Sequence, residues 1–281
     1  MYPASSLLRV TLNTASLVAP RLAGRLALAV FRTPAGRSRL RPGEAELLAE
    51  ARPGRLTVKG KTVLTYQWGD GTRPVLLVHG WASRAARFAP FVTALRERGF
   101  TVVAFDAPGH GGSGGRHTDL LEYGDIIRRL DRRHGTFEAV IAHSYGVLAT
   151  LVALREGVGA RRVVGIAGVA RYGYFVDGFC ALLGLRDPAN RALRVAVERF
   201  LFPGESDIWR RFDTAWQPGR TGAALLLFHD DTDDMVPVDQ SRSTADAYGA
   251  RARLVVTHGL GHRRILADPA VVAKATDFVA A

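Results

Sequence analysis

An α/β domain with a mostly parallel sheet is the fold class this chain predicts, and three observations carry that prediction. Short apolar runs at 75–78, 101–105, 137–142, 163–167, 224–228 and 252–257 alternate with amphipathic stretches at 88–98, 119–134, 145–156, 241–248 and 269–279. The runs are apolar on consecutive residues, as strands covered on both faces must be. The connections are long enough for right-handed helical crossovers, which place ligands beyond the carboxyl ends of the strands. The chain has 281 residues, 47% of them hydrophobic and 23% charged. That composition excludes a disordered or fibrous protein and leaves room for one large domain.

Read from the first residue, the chain opens with an extension, 1–53, made of helix and linker. Leu8, Leu12, Ala15, Ala19, Leu22, Leu26 and Val30 recur at three- and four-residue steps, which predicts one apolar helical stripe, broken or restarted at Pro20. Arg9, Pro20, Arg21 and Arg25 interrupt the stretch, so it fits neither a membrane span nor a signal peptide. The stripe is expected to pack on its own domain; a membrane surface or a partner subunit are the other places it could lie. A linker rich in Pro, Gly, Arg and Glu follows at 34–53, with a short helix at 44–51.

The main domain is expected at 54–281, led by an antiparallel pair at 56–58 and 63–68. Its one long interruption, 170–220, holds Tyr172, Tyr174, Phe175, Phe179, Phe200 and Phe202 in a pattern of helices with no strand. It reads as an insertion over the sheet. A lid that supplies apolar walls to a pocket is the functional reading, and a plain helical elaboration is the alternative.

Ala142-His143-Ser144-Tyr145-Gly146 stands where an apolar run ends and a helix begins. A serine on so sharp a turn projects its hydroxyl above the sheet, and small residues two positions either side let strand and helix approach. The segment is similar to the nucleophile elbow of the α/β-hydrolase superfamily, with Ala142 in place of the usual first glycine. Val78-His79-Gly80-Trp81 resembles that superfamily's oxyanion loop, and Asp106-Ala107-Pro108-Gly109-His110-Gly111-Gly112-Ser113 resembles its structural turn. The resemblance runs from about residue 54 to the C-terminus, outside the insertion. It implies an α/β-hydrolase fold with an eight-stranded type of sheet flanked by helices, and backbone N–H groups of Trp81 and Tyr145 as the oxyanion hole.

A serine hydroxyl is a poor nucleophile at neutral pH, so Ser144 requires a histidine base and a carboxylate to orient it, in that order along the chain. After the last expected strand come His258 and His262, and Gly261-His262 is similar to the family's base element. The acid is expected after 224–228, where the loop reads His229-Asp230-Asp231-Thr232-Asp233-Asp234-Met235-Val236-Pro237. The resemblance aligns the acid with Asp233 and replaces a glycine by Asp230; Asp231 and Asp234 are the other candidates. A helix N-cap is the plain alternative for Ser144. His79 and His110 are read as loop stabilisers, and His258 as packed or hydrogen-bonded at the end of its strand.

Other chemistry finds little support. His258 and His262 have the spacing of a helical metal pair, but the glycines between them oppose a helix, and no metal is expected. The glycines at 109–115 lack the Lys-Ser/Thr of a phosphate loop, so no cofactor is expected. The formal charge of +12 is almost all arginine, since Lys59, Lys61 and Lys274 are the only lysines. The arginines are scattered, so no nucleic-acid partner is expected. Cys180 stands alone, which argues for no disulfide framework and a cytoplasmic location. The sequence thus predicts a serine hydrolase cleaving a carboxylic ester, or similar acyl bond, of a small apolar substrate through an acyl-enzyme. An acyltransferase using the same residues and a non-catalytic binding protein are the alternatives.

Overall fold

The computed structural model describes residues 5–281, so residues 1–4 of the expected extension lie outside it. Eight strands form one sheet: β1 (Arg52–Val58), β2 (Lys61–Trp68), β3 (Pro74–Val78), β4 (Thr101–Phe105), β5 (Phe137–His143), β6 (Ala160–Ile166), β7 (Ala224–Asp230) and β8 (Ala252–Thr257). Their spatial order is β1-β2-β4-β3-β5-β6-β7-β8. The pairs β1–β2 and β2–β4 are antiparallel, and every later pair is parallel. The α/β-hydrolase architecture read from the motifs is therefore the architecture found.

The two-residue period of each strand sorts its side chains to two cores. Leu76, Val78, Val103, Phe105, Val140 and Ala142 face one core. Val75, Leu77, Val102, Ala104, Ala139 and Ile141 face the other. The first is covered by α5 (Leu120–His134) and α6 (Tyr145–Arg155), which bring Tyr123, Ile127, Leu148 and Leu151. The second is covered by α4 (Ala89–Glu97) and α12 (Pro269–Ala280), which bring Phe91, Leu95, Val271 and Ala275. Strand β8 departs from the expectation of a buried strand: as an edge it has one neighbour, and Val256 points to solvent. β1 also begins at Arg52, ahead of the expected start, because its ladder with β2 extends to Gln67.

Two helices precede the sheet, α1 (Ser5–Val18) and α2 (Pro20–Phe31), broken where Pro20 sits at the first helical position of the second. A third, α3 (Glu44–Ala49), lies in the linker. The stripe expected on α2 is rotated. Leu22 and Leu26 face solvent, and Ala23, Gly24, Ala27, Leu28 and Phe31 are buried instead. The reason is close helix packing, which selects small residues: a Cβ at Gly24 would stand 2.3 Å from the Ala192 carbonyl oxygen. Ala192 belongs to α8 (Asp187–Ala196), which with α7 (Tyr172–Leu183) and α9 (Ile208–Arg211) fills the connection from β6 to β7. Phe31 extends the contact, its ring 5.4 Å from Phe175 and 5.2 Å from Phe179 on α7.

Several arginines are fasteners for backbone. Arg155, at the end of α6, is buried and donates to the carbonyls of Arg211 (2.7 Å) and Trp216 (2.7 Å), holding the chain as it returns toward β7. Arg37 reaches from the linker to the carbonyls of Gly111 (2.9 Å) and Gly115 (2.9 Å). A planar guanidinium with five donors suits such multiple capture, and a lysine ammonium does not. The remaining helices, α10 (Asp239–Tyr248) and α11 (Gly261–Arg264), follow β7 and β8.

Candidate active site

Strand β5 runs directly into α6, and the residue at the junction is Ser144, with φ +54° and ψ −123°. That left-handed backbone is costly for a residue with a Cβ and persists only where the surroundings impose it. Here the Ser144 N–H donates to Ile166 on β6 (2.9 Å), and its carbonyl accepts from Val147 (3.0 Å) and Val169 (3.2 Å). The approach also needs Gly146, since a Cβ there would lie 2.5 Å from the Val78 carbonyl oxygen. The Ser144 side chain makes no N-cap hydrogen bond, so the plain capping alternative does not describe it.

Its hydroxyl instead meets His262, on α11 just past β8. Ser144 Oγ lies 3.0 Å from His262 Nε2, and His262 Nδ1 lies 2.7 Å from Asp233 Oδ2. Because a carboxylate only accepts, the proton sits on Nδ1 and Nε2 is free to accept from the serine. Asp233 is held on its other oxygen by the N–H groups of Met235 and Val236, each at 2.9 Å. Burial works to raise the Asp233 pKa, but hydrogen bonds from His229, His262 and the Val236 N–H win and hold it well below the usual carboxylate range. All three side chains are buried. The other acids are elsewhere: Asp231 pairs with His258 at 2.8 Å in the open, and Asp234 is exposed. His258 lies one residue past β8, exposed and hydrogen-bonded, not packed.

The loop after β3 closes the other side. The Ala107 N–H donates to His79 Nε2 (3.0 Å) and the Ala82 N–H to His110 Nε2 (3.0 Å), so both histidines tie loops together. Trp81 follows Gly80, its ring 5.6 Å from Tyr145 and 5.4 Å from Phe175. Tyr145 is the first residue of α6, so its backbone N–H is one of the donors an α-helix leaves without a partner at its start. The Trp81, Tyr145 and Phe175 rings pack on one another, those of Tyr145 and Phe175 at 4.7 Å between centres. The Tyr174 hydroxyl donates to the Met235 carbonyl (2.9 Å), joining α7 to the loop that carries Asp233.

Three residues with no expected role support the constellation. His143, buried next to Ser144, donates from Nε2 to the His262 carbonyl at 2.9 Å and so fixes the backbone of His262. His229 donates to the Val236 carbonyl (2.8 Å) and stands 3.4 Å from Asp233 Oδ2. Asp230 ties the chain before Asp233 to the chain before His262 by accepting from Thr232, from Thr257 (2.8 Å) and from Leu260 (3.0 Å). The Asp230-Asp231-Thr232 order carried a signal for the last of these, since an aspartate two residues before its donor is an Asx turn. His143 carried none, because its partner is distant in sequence.

Residues 75–275 match the alpha/beta hydrolase family. The chain belongs to that family. Similar proteins include a non-heme haloperoxidase of Rhodococcus erythropolis, 28% identical over 251 residues, covering 72% of this chain and 90% of the other. Esterase YjfP of Escherichia coli (strain K12) is 26% identical over 192 residues, covering 64% and 76%. Among solved structures, an esterase of Pyrococcus furiosus superposes with a TM-score of 0.62 at 20% identity, over 87% of this chain and 95% of its own. A monoacylglycerol lipase of Paleococcus ferrophilus gives 0.60 at 21% identity, over 77% and 98%. At this level the chain is a hydrolase.

Proposed function

We propose that the protein is a serine hydrolase that cleaves carboxylic esters, or similar acyl bonds, of small apolar substrates through an acyl-enzyme. Ser144 Oγ attacks the acyl carbonyl while His262 Nε2 takes its proton, and Asp233 keeps the imidazole in the tautomer that accepts it. The oxyanion of the tetrahedral intermediate is held by the backbone N–H groups of Trp81 and Tyr145, aided by the positive end of α6. The intermediate collapses as His262 returns the proton to the departing alcohol. Water then repeats the sequence on the acyl-serine, with His262 as base, and releases the acid. The observation that carries the reading is the hydrogen-bonded chain from Asp233 through His262 to a serine held at positive φ. The esterase names among the relatives agree with it.

The helices at 172–211 serve as the lid, and Phe175 with Trp81 and Tyr145 supplies the apolar wall for the acyl or alcohol group. Among the described residues no helix is long and apolar enough to cross a membrane. We place the enzyme in the cytoplasm because its lone cysteine, Cys180, is buried and unpaired.

Labelling with a fluorophosphonate probe tests the chemistry. The folded chain is expected to take one label, and Ser144→Ala none; absence of label on the folded parent would overturn the proposal. A series of nitrophenyl esters of graded chain length then measures the pocket, and added alcohol acceptors separate hydrolysis from acyl transfer in the products.

A further inference from the structure

The outward face of the N-terminal helices differs in chemistry from an ordinary protein surface. On α1, Leu7, Val10 and Leu17 stand at three- and seven-residue steps and are 72%, 56% and 69% exposed, with Val18 at 80%. The opposite side of the same helix buries Leu12, and Arg9 is its only charged residue. A helix apolar on both sides is suited to being covered on both. On α2, Leu22 and Leu26 face outward at 56% and 43% exposure.

At the corner between the two helices, Pro20 and Arg21 meet Arg191, Val195, Arg199 and Phe200 of the insertion around a cleft of about 340 Å³. Arg21, Arg191 and Arg199 are exposed and in no ion pair among the described residues. The Arg25 guanidinium lies over the Phe200 ring, 4.4 Å from its centre. The first 43 residues hold seven arginines and no aspartate or glutamate.

The charge decides what covers this surface. A second copy docking by the same face would bring like charges together at the contact, which opposes association. An anionic bilayer offers an apolar layer for the leucines and valines, and phosphates that match guanidinium geometry. We propose that α1, α2 and the outward side of α8 dock on an anionic phospholipid membrane, with Arg21, Arg191 and Arg199 gripping headgroup phosphate at the cleft. The docked helices brace α7, whose Phe175 walls the Ser144 site, so the bilayer and the pocket lie against one helical insertion.

Sedimentation of the purified full chain with vesicles tests this independently of any hydrolysis. Vesicles of phosphatidylcholine with one third phosphatidylglycerol are expected to carry the protein down, and pure phosphatidylcholine to leave most of it in solution. Added salt weakens the binding. The triple variant Arg21→Ala, Arg191→Ala, Arg199→Ala is expected to lose about fivefold in partitioning per arginine. Leu7→Ser with Leu17→Ser loses binding by removing the inserted side chains. Both variants keep the parent's rate on a soluble nitrophenyl ester, which shows that they fold. Failure of the parent to bind anionic vesicles overturns the proposal, as does unchanged binding by both variants. So does a dimer in light scattering that Leu17→Glu dissociates. Vesicle binding by a parent that hydrolyses no ester would sink the catalytic reading and leave the docking intact.

Discussion

Asp233 is the residue on which the proposed chemistry turns, because a carboxylate that only accepts forces the proton of His262 onto Nδ1. Asp233→Asn keeps the shape but offers an amide donor at that position, which favours the wrong tautomer. We expect kcat to fall by on the order of 10³–10⁴ with KM little changed. A stopped assay on a soluble ester measures it, and a loss under tenfold would show that another acid serves. At this scale the sequence was legible for Ser144, His262 and Asp233, whose neighbours repeat known motifs. It was silent on His143, whose ring meets the His262 carbonyl only because the chain after β8 returns past β7 and β6 to the end of β5.

The α2–α8 contact is the element whose behaviour sequence alone would misjudge. On an isolated helix, replacing Gly24 by alanine would add stability, by about 1 kcal/mol. In the fold that Cβ would stand 2.3 Å from a backbone carbonyl oxygen, so the two helices must separate. We therefore expect Gly24→Ala to destabilise by about 2 kcal/mol, lowering Tm by about 4–8 °C. A rise in Tm would mean that the helices yield freely. The same packing explains the rotated stripe: periodicity marked the side of Leu22, Leu26 and Val30 on α2, and the close approach of α8 covered the side lined by Ala23, Ala27 and Leu28 instead.

Across the whole molecule, buried neutral histidines couple stability to pH. Burial, and secondarily the nearby His79, pulls the His110 pKa down to about 3. Burial and the neighbouring His262 likewise pull His143 down to about 3. An unfolded chain protonates both as pH falls through about 6.5. The native form does not, so the unfolded state gains protons and stability drops. Stability is full above about pH 6.5 and declines toward about pH 3, by as much as about 1.4 kcal/mol per pH unit for each histidine. Thermal melts between about pH 7 and about pH 4 are expected to show this decline, and His143→Gln to make it shallower. A flat profile in the parent would contradict it.

The amino-acid order by itself determined the alternation of strand and helix, the elbow at Ser144 and the chain order of serine, acid and base. These rest on hydrophobic period and on residues close together in the sequence, where local geometry leaves little choice. Tertiary structure alone decided which face of α2 is covered, that His143 holds the His262 carbonyl, and that Arg155 and Arg37 clamp distant carbonyls. Those outcomes depend on atoms brought together from positions far apart in the chain, and no spacing along the sequence encodes that meeting.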